Sequence, residues 1–187
     1  MSKKFLTCTV VFVLCCFMAT SAWAAKKVDL LSANSAGYIQ KMNNQGDHGR
    51  TAMASIFGLT NNEKLAFKRQ TVDFNSISHA RYQQTYKGIP IWGHEVVVSR
   101  DHTDQVLKLD GAVVFDIPRD ILSIPGTLDP DGALIKMKKA HQKKDLKAKW
   151  NFNNERTGTY IYLDKNSKAN IVYAVSFFAD NEKGKPS

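Results

Sequence analysis

The sequence predicts an α+β fold: antiparallel β-sheets, each packed with a helix, forming two small subdomains preceded by a signal peptide. Three observations carry this. Short β-rich runs follow one another between Leu65 and Asp116 with only turn-type breaks between them, the pattern of an antiparallel meander. An amphipathic stretch opens at Asp129-Pro130, and two further β-rich runs follow it. Strands, then a helix, then a hairpin is an order that lays helices on one side of an antiparallel sheet, unlike alternating βαβ.

Lys3 and Lys4 precede the apolar run Phe5 to Met18, and Ala22-Trp23-Ala24 places small residues where a signal peptidase reads them. Residues 1–24 therefore read as a secretory signal cleaved between Ala24 and Ala25. The fourteen residues of that run fall short of the roughly 20 that a spanning helix needs. The expectation is a soluble product, secreted or periplasmic, with no membrane attachment after cleavage.

Residues 25–62 are polar and rich in Asn, Ser and Gly, with one short helical signal, Met53, Ile56 and Phe57, and Gly58 as its stop. Residues 63–117 form the β-rich unit. Its expected strands are Leu65–Phe74, Ser78–Tyr86, Ile91–Arg100, Val106–Asp110 and Ala112–Phe115, broken at Asn75-Ser76, Lys87-Gly88, 101–104 and Gly111. Residues 118–128, with Pro118 and Pro125, read as a linker. Asp129 then suits an N-cap and Pro130 the first helical position. Leu134, Met137, Ala140 and His141 make one stripe, predicting a helix from 130 to about 149. Two strands, Thr159–Leu163 and Ala169–Phe178, complete a unit spanning 129–187. A helix and one hairpin bury little surface, so this unit is expected to be incomplete.

Of the 187 residues, 43% are hydrophobic and 23% charged, with 11 Gly and 5 Pro, which excludes collagen-like and low-complexity chains. All three cysteines, Cys8, Cys15 and Cys16, lie in the signal. The mature product is thus expected to have no disulfide, thiolate metal site or cysteine nucleophile. With Lys3 and Lys4 set aside, 24 basic residues remain against 17 acidic ones, a net charge of +7. Seven lysines crowd into 136–149; Lys136, Lys139, Lys143 and Lys147 fall opposite the apolar stripe, as a solvated face or a docking surface for an acidic partner. Without interleaved aromatics or arginines, nucleic acid is not the expected partner.

Catalytic signatures are missing. His94-Glu95 starts like H-E-x-x-H, but Val98 stands where the second histidine belongs, and the valine-rich context favours a strand, on which residues i and i+4 lie about 13 Å apart. His48, His79, His102 and His141 show no metal-ligand spacing, and read as surface or structural histidines. Asp129-Pro130-Asp131-Gly132 and Asp164-Lys165-Asn166 resemble fragments of calcium loops without the remaining ligands, and read better as a cap and a hairpin turn. The expectation is no catalytic residue, cofactor or metal in this chain.

The most distinctive run is HARYQQTYKGIPIWGHEVVVSRD, residues 79–101. Alternation puts Ala80, Tyr82, Gln84 and Tyr86 on one face, Lys87-Gly88 turns the chain, and Pro90 lacks the N–H that a central ladder needs. Tyr82 and Tyr86 suit either a core edge or a docking surface. Arg81, Tyr82, Gln84, Tyr86, Gly88, Ile89, Pro90, Gly93, Glu95 and Val96 to Val98 fit a family pattern, R-Y-x-Q-x-Y-x-G-I/L-P followed by a glycine and a valine-rich strand. The run resembles the fungalysin/thermolysin propeptide motif. Phe57-Gly58-Leu59 and Val106 to Phe115 are similar to its flanks, and residues 129–178 are similar to a PepSY module.

That resemblance implies the pro-region of a thermolysin-like secreted zinc metalloprotease. Such a region assists folding of the catalytic domain, covers its active site and is cut away. It implies a cognate catalytic domain as partner, and zinc, with calcium a further candidate, held by that domain. The candidate motif or docking residues are Arg81, Tyr82, Gln84, Tyr86, Gly88, Ile89, Pro90, Gly93 and Glu95; those of signal cleavage are Ala22, Ala24 and Ala25. Precursors of this kind continue past the last strand with a D-x-x-T-G-like turn and then H-E-x-x-H, which are not reached by Ser187. The alternatives are a free-standing exported PepSY-type inhibitor of a separate peptidase and an unrelated exported binding module.

Overall fold

The computed structural model describes residues 24–31, 35–45, 50–121, 124, 129–144 and 146–181. The expected signal lies outside them, apart from Ala24. The chain is α+β, with a mostly antiparallel mixed sheet and few helices.

The described elements are β1 (Lys26–Asp29), α1 (Ser35–Gln45), α2 (Arg50–Phe57), β2 (Glu63–Val72), β3 (Ser78–Tyr86), β4 (Ile89–Arg100), β5 (Val106–Phe115), α3 (Ile117–Asp120), α4 (Pro130–Gln142), β6 (Trp150–Leu163) and β7 (Ala169–Asn181). The order β1-β5-β4-β3-β2 is antiparallel throughout. Strand β7 pairs β6 antiparallel, and β6 joins β4 by a parallel contact at Ile91 and Ile161.

One turn design recurs. Asp73, Asp101 and Asp164 each end a strand, and each carboxylate accepts main-chain N–H groups two and four residues on, at 2.8–3.0 Å. The third residue after each, Ser76, Asp104 or Ser167, has φ between 62° and 67°. A short side-chain acceptor thus replaces the backbone pairing that a strand loses on reversing. Lys87-Gly88, with φ of 48° and 81°, is the two-residue turn with both φ positive that matches the twist of paired strands.

Alternation then sorts the core. Tyr82, Val96, Val98, Leu109 and Val113 face α1 and α2, where Met42, Met53 and Phe57 cover them. Full burial of such side chains contributes roughly 1.5–3 kcal/mol each. Gly58, at φ 77°, ends α2 as expected. A second cluster, Tyr86, Ile89, Ile91, Val114, Ile117, Ile121, Ile161 and Ala169, fills the joint between the five-stranded part and the β6/β7 hairpin.

Several elements differ from expectation. β5 runs straight through Gly111, since this glycine (φ 98°) is where β5 passes against β4: a Cβ there would lie 1.9 Å from the Glu95 carbonyl oxygen. Helix α4 stops at Gln142, so Lys143, Lys144, Lys147 and Lys149 lie beyond it. Leu146 is 84% exposed, so the segment after Gln142 gains no burial of its own. Strand β6 begins at Trp150, nine residues earlier than Thr159, and β1 and α1 occupy part of the stretch read as polar with one short helix.

Candidate functional site

The motif residues occupy the two faces of β3 and β4. Tyr82, Gln84 and Tyr86 point into the core, at most 7% exposed. Arg81 and Glu95 lie on the opposite face, ion-paired at 2.6 Å and each roughly one-third exposed. Such a pair contributes on the order of 0–1 kcal/mol. It lines a cavity of about 470 Å³ with Lys27, Asp29, His94 and Asp110. Charges of both signs thus stand on a sheet face that no described helix covers. Burial, and then the nearby Lys27 charge, push the His94 imidazole below its ordinary pKa.

Residues 91–94 form a bulge. Across β3 and β4, Gln83 pairs with Glu95, but Thr85 pairs with Pro90, so residues 91–94 leave the ladder. Gly93 has φ 73°, a conformation that suits glycine. Gln83 Nε2 faces the released carbonyls of Ile91 and His94, at 2.7 and 2.9 Å. Freed from β3, Ile91 meets Ile161 of β6, and Trp92 packs edge-on against Tyr160, their centroids 4.7 Å apart. The G-I-P-I-W-G run is therefore the joint on which the hairpin is mounted.

Gln84 repairs what the bulge exposes. Fully buried, it donates from Nε2 to the Val114 carbonyl at 2.7 Å and accepts the Val114 N–H at Oε1 at 2.8 Å. Its amide stands in for the stretch of β4 that has moved away. Asn43 of α1 treats Val106 at the other end of β5 in the same way, at 3.1 and 2.8 Å. Sequence reasoning did not single out Gln83 or Asn43; both are amides beside a strand end, and nothing in their spacing marks them.

His94 and Glu95 are not placed as a pair of metal ligands. Glu95 is bound to Arg81, and Val98 at the i+4 position is wholly buried. Among the described residues no group of three His, Cys, Asp or Glu side chains is placed to hold an ion. Asp129 and Asp164, read as cap and turn, are just that: Asp129 Oδ1 accepts from Gly132 N at 2.7 Å, and Asp164 closes the β6/β7 turn. His141 lies among Trp150, Phe152 and Phe177, with ring centroids 4.5–5.9 Å away.

A bulged strand, bridged by two glutamine amides, thus mounts the β6/β7 hairpin on the five-stranded part. Residues 63–113 match the family described as the Fungalysin/Thermolysin Propeptide Motif. The chain is similar to the hemagglutinin/proteinase of Vibrio cholerae, 21% identical over 88% of this chain and 26% of that protein. It is also similar to the neutral protease of Vibrio proteolyticus, 27% identical over 57% of this chain and 18% of that protein. A zinc metalloproteinase, MspA, of Legionella longbeachae is 25% identical over 61% and 22%. The chain spans about a quarter or less of the length of these curated relatives. The resemblance read from residues 79–101, to the pro-region of a thermolysin-like protease, is thus borne out by motif and relatives alike.

Proposed function

We propose that this chain is the pro-region of a secreted thermolysin-like zinc metalloendopeptidase, acting on the catalytic domain as folding assistant and inhibitor. The carrying observation is the propeptide motif at 63–113 together with the joint it builds. In this reading the five-stranded part and the PepSY-like α4/hairpin part are two subdomains fixed at a set angle by Ile91–Ile161, so that together they present one preformed surface.

A surface that binds the folded enzyme better than the unfolded one shifts folding toward the native state by mass action, and the same contacts exclude substrate afterwards. Zinc, and any calcium, would be held by the catalytic domain, and zinc would there supply polarisation of the scissile carbonyl and activation of water. This chain's own part is to bind and orient. The uncovered face around Arg81, Glu95 and Asp110 offers charges of both signs for registering a partner. Phe178, 69% exposed, adds apolar area on the hairpin.

Refolding tests the assisting role. Denatured mature neutral protease of V. proteolyticus, diluted with and without this chain, should recover more activity with it; recovery equal to that with serum albumin would contradict the role.

A further inference from the structure

We propose that Asp120 is the receiving site for the α-ammonium that signal removal creates at Ala25. This rests on the reading of residues 1–24 as a cleaved signal, and not on what the chain does to a protease.

The Ala25 main-chain nitrogen lies 3.0 Å from Asp120 Oδ2, although Ala25 is only 3% exposed. The same oxygen accepts the Ala169 N–H at 2.7 Å. Asp120 closes α3 at the joint, so one carboxylate ties the start of β1, 95 residues before it, to the start of β7, 49 residues after it. Ala25 and Ala169 share an apolar cluster with Ile117, Ile121 and Ile161. Lys26 and Lys27 next to the site are exposed. In the unbroken chain the Ala25 nitrogen is a neutral amide with one hydrogen. Hydrolysis of the Ala24–Ala25 bond by a signal peptidase consumes one water, leaves a carboxylate on Ala24, and puts a cation with three hydrogens at that same nitrogen. A contact charged only on its acceptor side then becomes an ion pair in which donor and acceptor are both charged. The precursor thus carries a joint that signal removal tightens: β1, α3 and the hairpin are locked together once the chain has been exported.

The full chain is expressed with its own leader in a secreting bacterial host, and the product's N-terminus is read by mass spectrometry; Ala25 is expected. Chains starting at Ala25 are then made with a free amine and with an acetylated amine, which keeps the N–H but not the charge, each with and without Asp120→Asn, which keeps an acceptor oxygen. In urea unfolding, acetylation of the wild-type chain should lower the folding equilibrium constant about tenfold. Asp120→Asn should cost about tenfold with the free amine and under threefold with the acetylated one. Should Asp120→Asn fail to fold, the acetylation effect in the wild-type chain decides. No effect of acetylation, an equal cost of Asp120→Asn in both forms, or a natural N-terminus other than Ala25 would each overturn the proposal, and none of them bears on protease inhibition.

Discussion

Gln84 supplies both hydrogen-bonding partners of Val114, accepting its N–H at 2.8 Å and donating to its carbonyl at 2.7 Å. A side chain on β3 thus does for β5 what β4 cannot, because β4 has bulged out to carry the hairpin. Replacing Gln84 by Leu keeps the volume but leaves a buried N–H and a buried C=O unpaired, each costing about 1–3 kcal/mol. We expect Gln84→Leu to lower stability by about 2–4 kcal/mol in urea unfolding. A loss below the error of the measurement would show that the amide is dispensable.

Gly111 stands where a Cβ would overlap the Glu95 carbonyl oxygen, at a φ that other residues rarely adopt. Gly111→Ala should therefore cost about 2–4 kcal/mol from strain and displaced backbone. Gly37, with nothing within 4 Å of an added Cβ and no positive φ, is the control. In the first turn of α1, Gly37→Ala should be neutral or stabilising by up to about 1 kcal/mol. Thermal melts of the two variants check the contrast.

The joint rests on Ile91 and Ile161, both fully buried and paired across β4 and β6. Each change to Ala should cost about 2–5 kcal/mol. Because they share one cavity, the double variant should cost less than the sum of the two by about 0.5–3 kcal/mol. Additive losses in a double-mutant cycle would mean that the two halves are not held through this contact.

Acid should weaken the fold in two stages. His94 is held below the ordinary imidazole value of 6.5, first by burial and then by Lys27. Its neutral form is favoured when folded, so stability is complete above pH 6.5 and falls as pH drops toward the lowered folded value. Asp73 is lowered chiefly by the Ile77 N–H, with His79 and Asn75 adding, and Asp101 chiefly by the Thr103 hydroxyl and then the Gln105 N–H. Their folded pKa values lie below 3.8, so their support is present above that pH and is lost as pH falls through the folded values. His94→Gln should flatten the first stage of a urea-midpoint profile, and Asp73→Asn with Asp101→Asn the second. An unchanged profile in either case would refute that assignment.

Much of this was legible in the sequence. Alternation in 78–86 and 96–98 located β3, β4 and their buried faces, and the breaks at Asn75-Ser76, 101–104 and Asp164, Gly58 and the Asp129 cap announced themselves by residue type, although Asp73 was placed in the strand that it in fact ends. What was missed depends on neighbours distant in sequence. Lys26–Asp29 is too short and charged to show a period, and becomes a strand only by pairing β5 from Asp29↔Ala112 to Lys26↔Phe115. In α1, Tyr38, Ile39 and Met42 sit among Asn, Gln and Gly, so packing rather than propensity makes the helix. The early part of β6 is Asn-rich and bulged between Asn153 and Arg156. At the site, the family resemblance picked out Gln84 and Gly93, but only the bulge explains them, because the partners, Val114 and Ile161, lie 30 and 70 residues away from Gln84 and Ile91.

In the function proposed above, this chain covers the active site of a metalloendopeptidase. Titrating it into the mature V. proteolyticus neutral protease and V. cholerae hemagglutinin/proteinase, with a peptide substrate, tests this most directly. We predict saturable inhibition of at least one, competitive with substrate and weakened when the Ile91–Ile161 joint is opened by Ile161→Ala. Unchanged turnover of both at large excess of folded chain would contradict it.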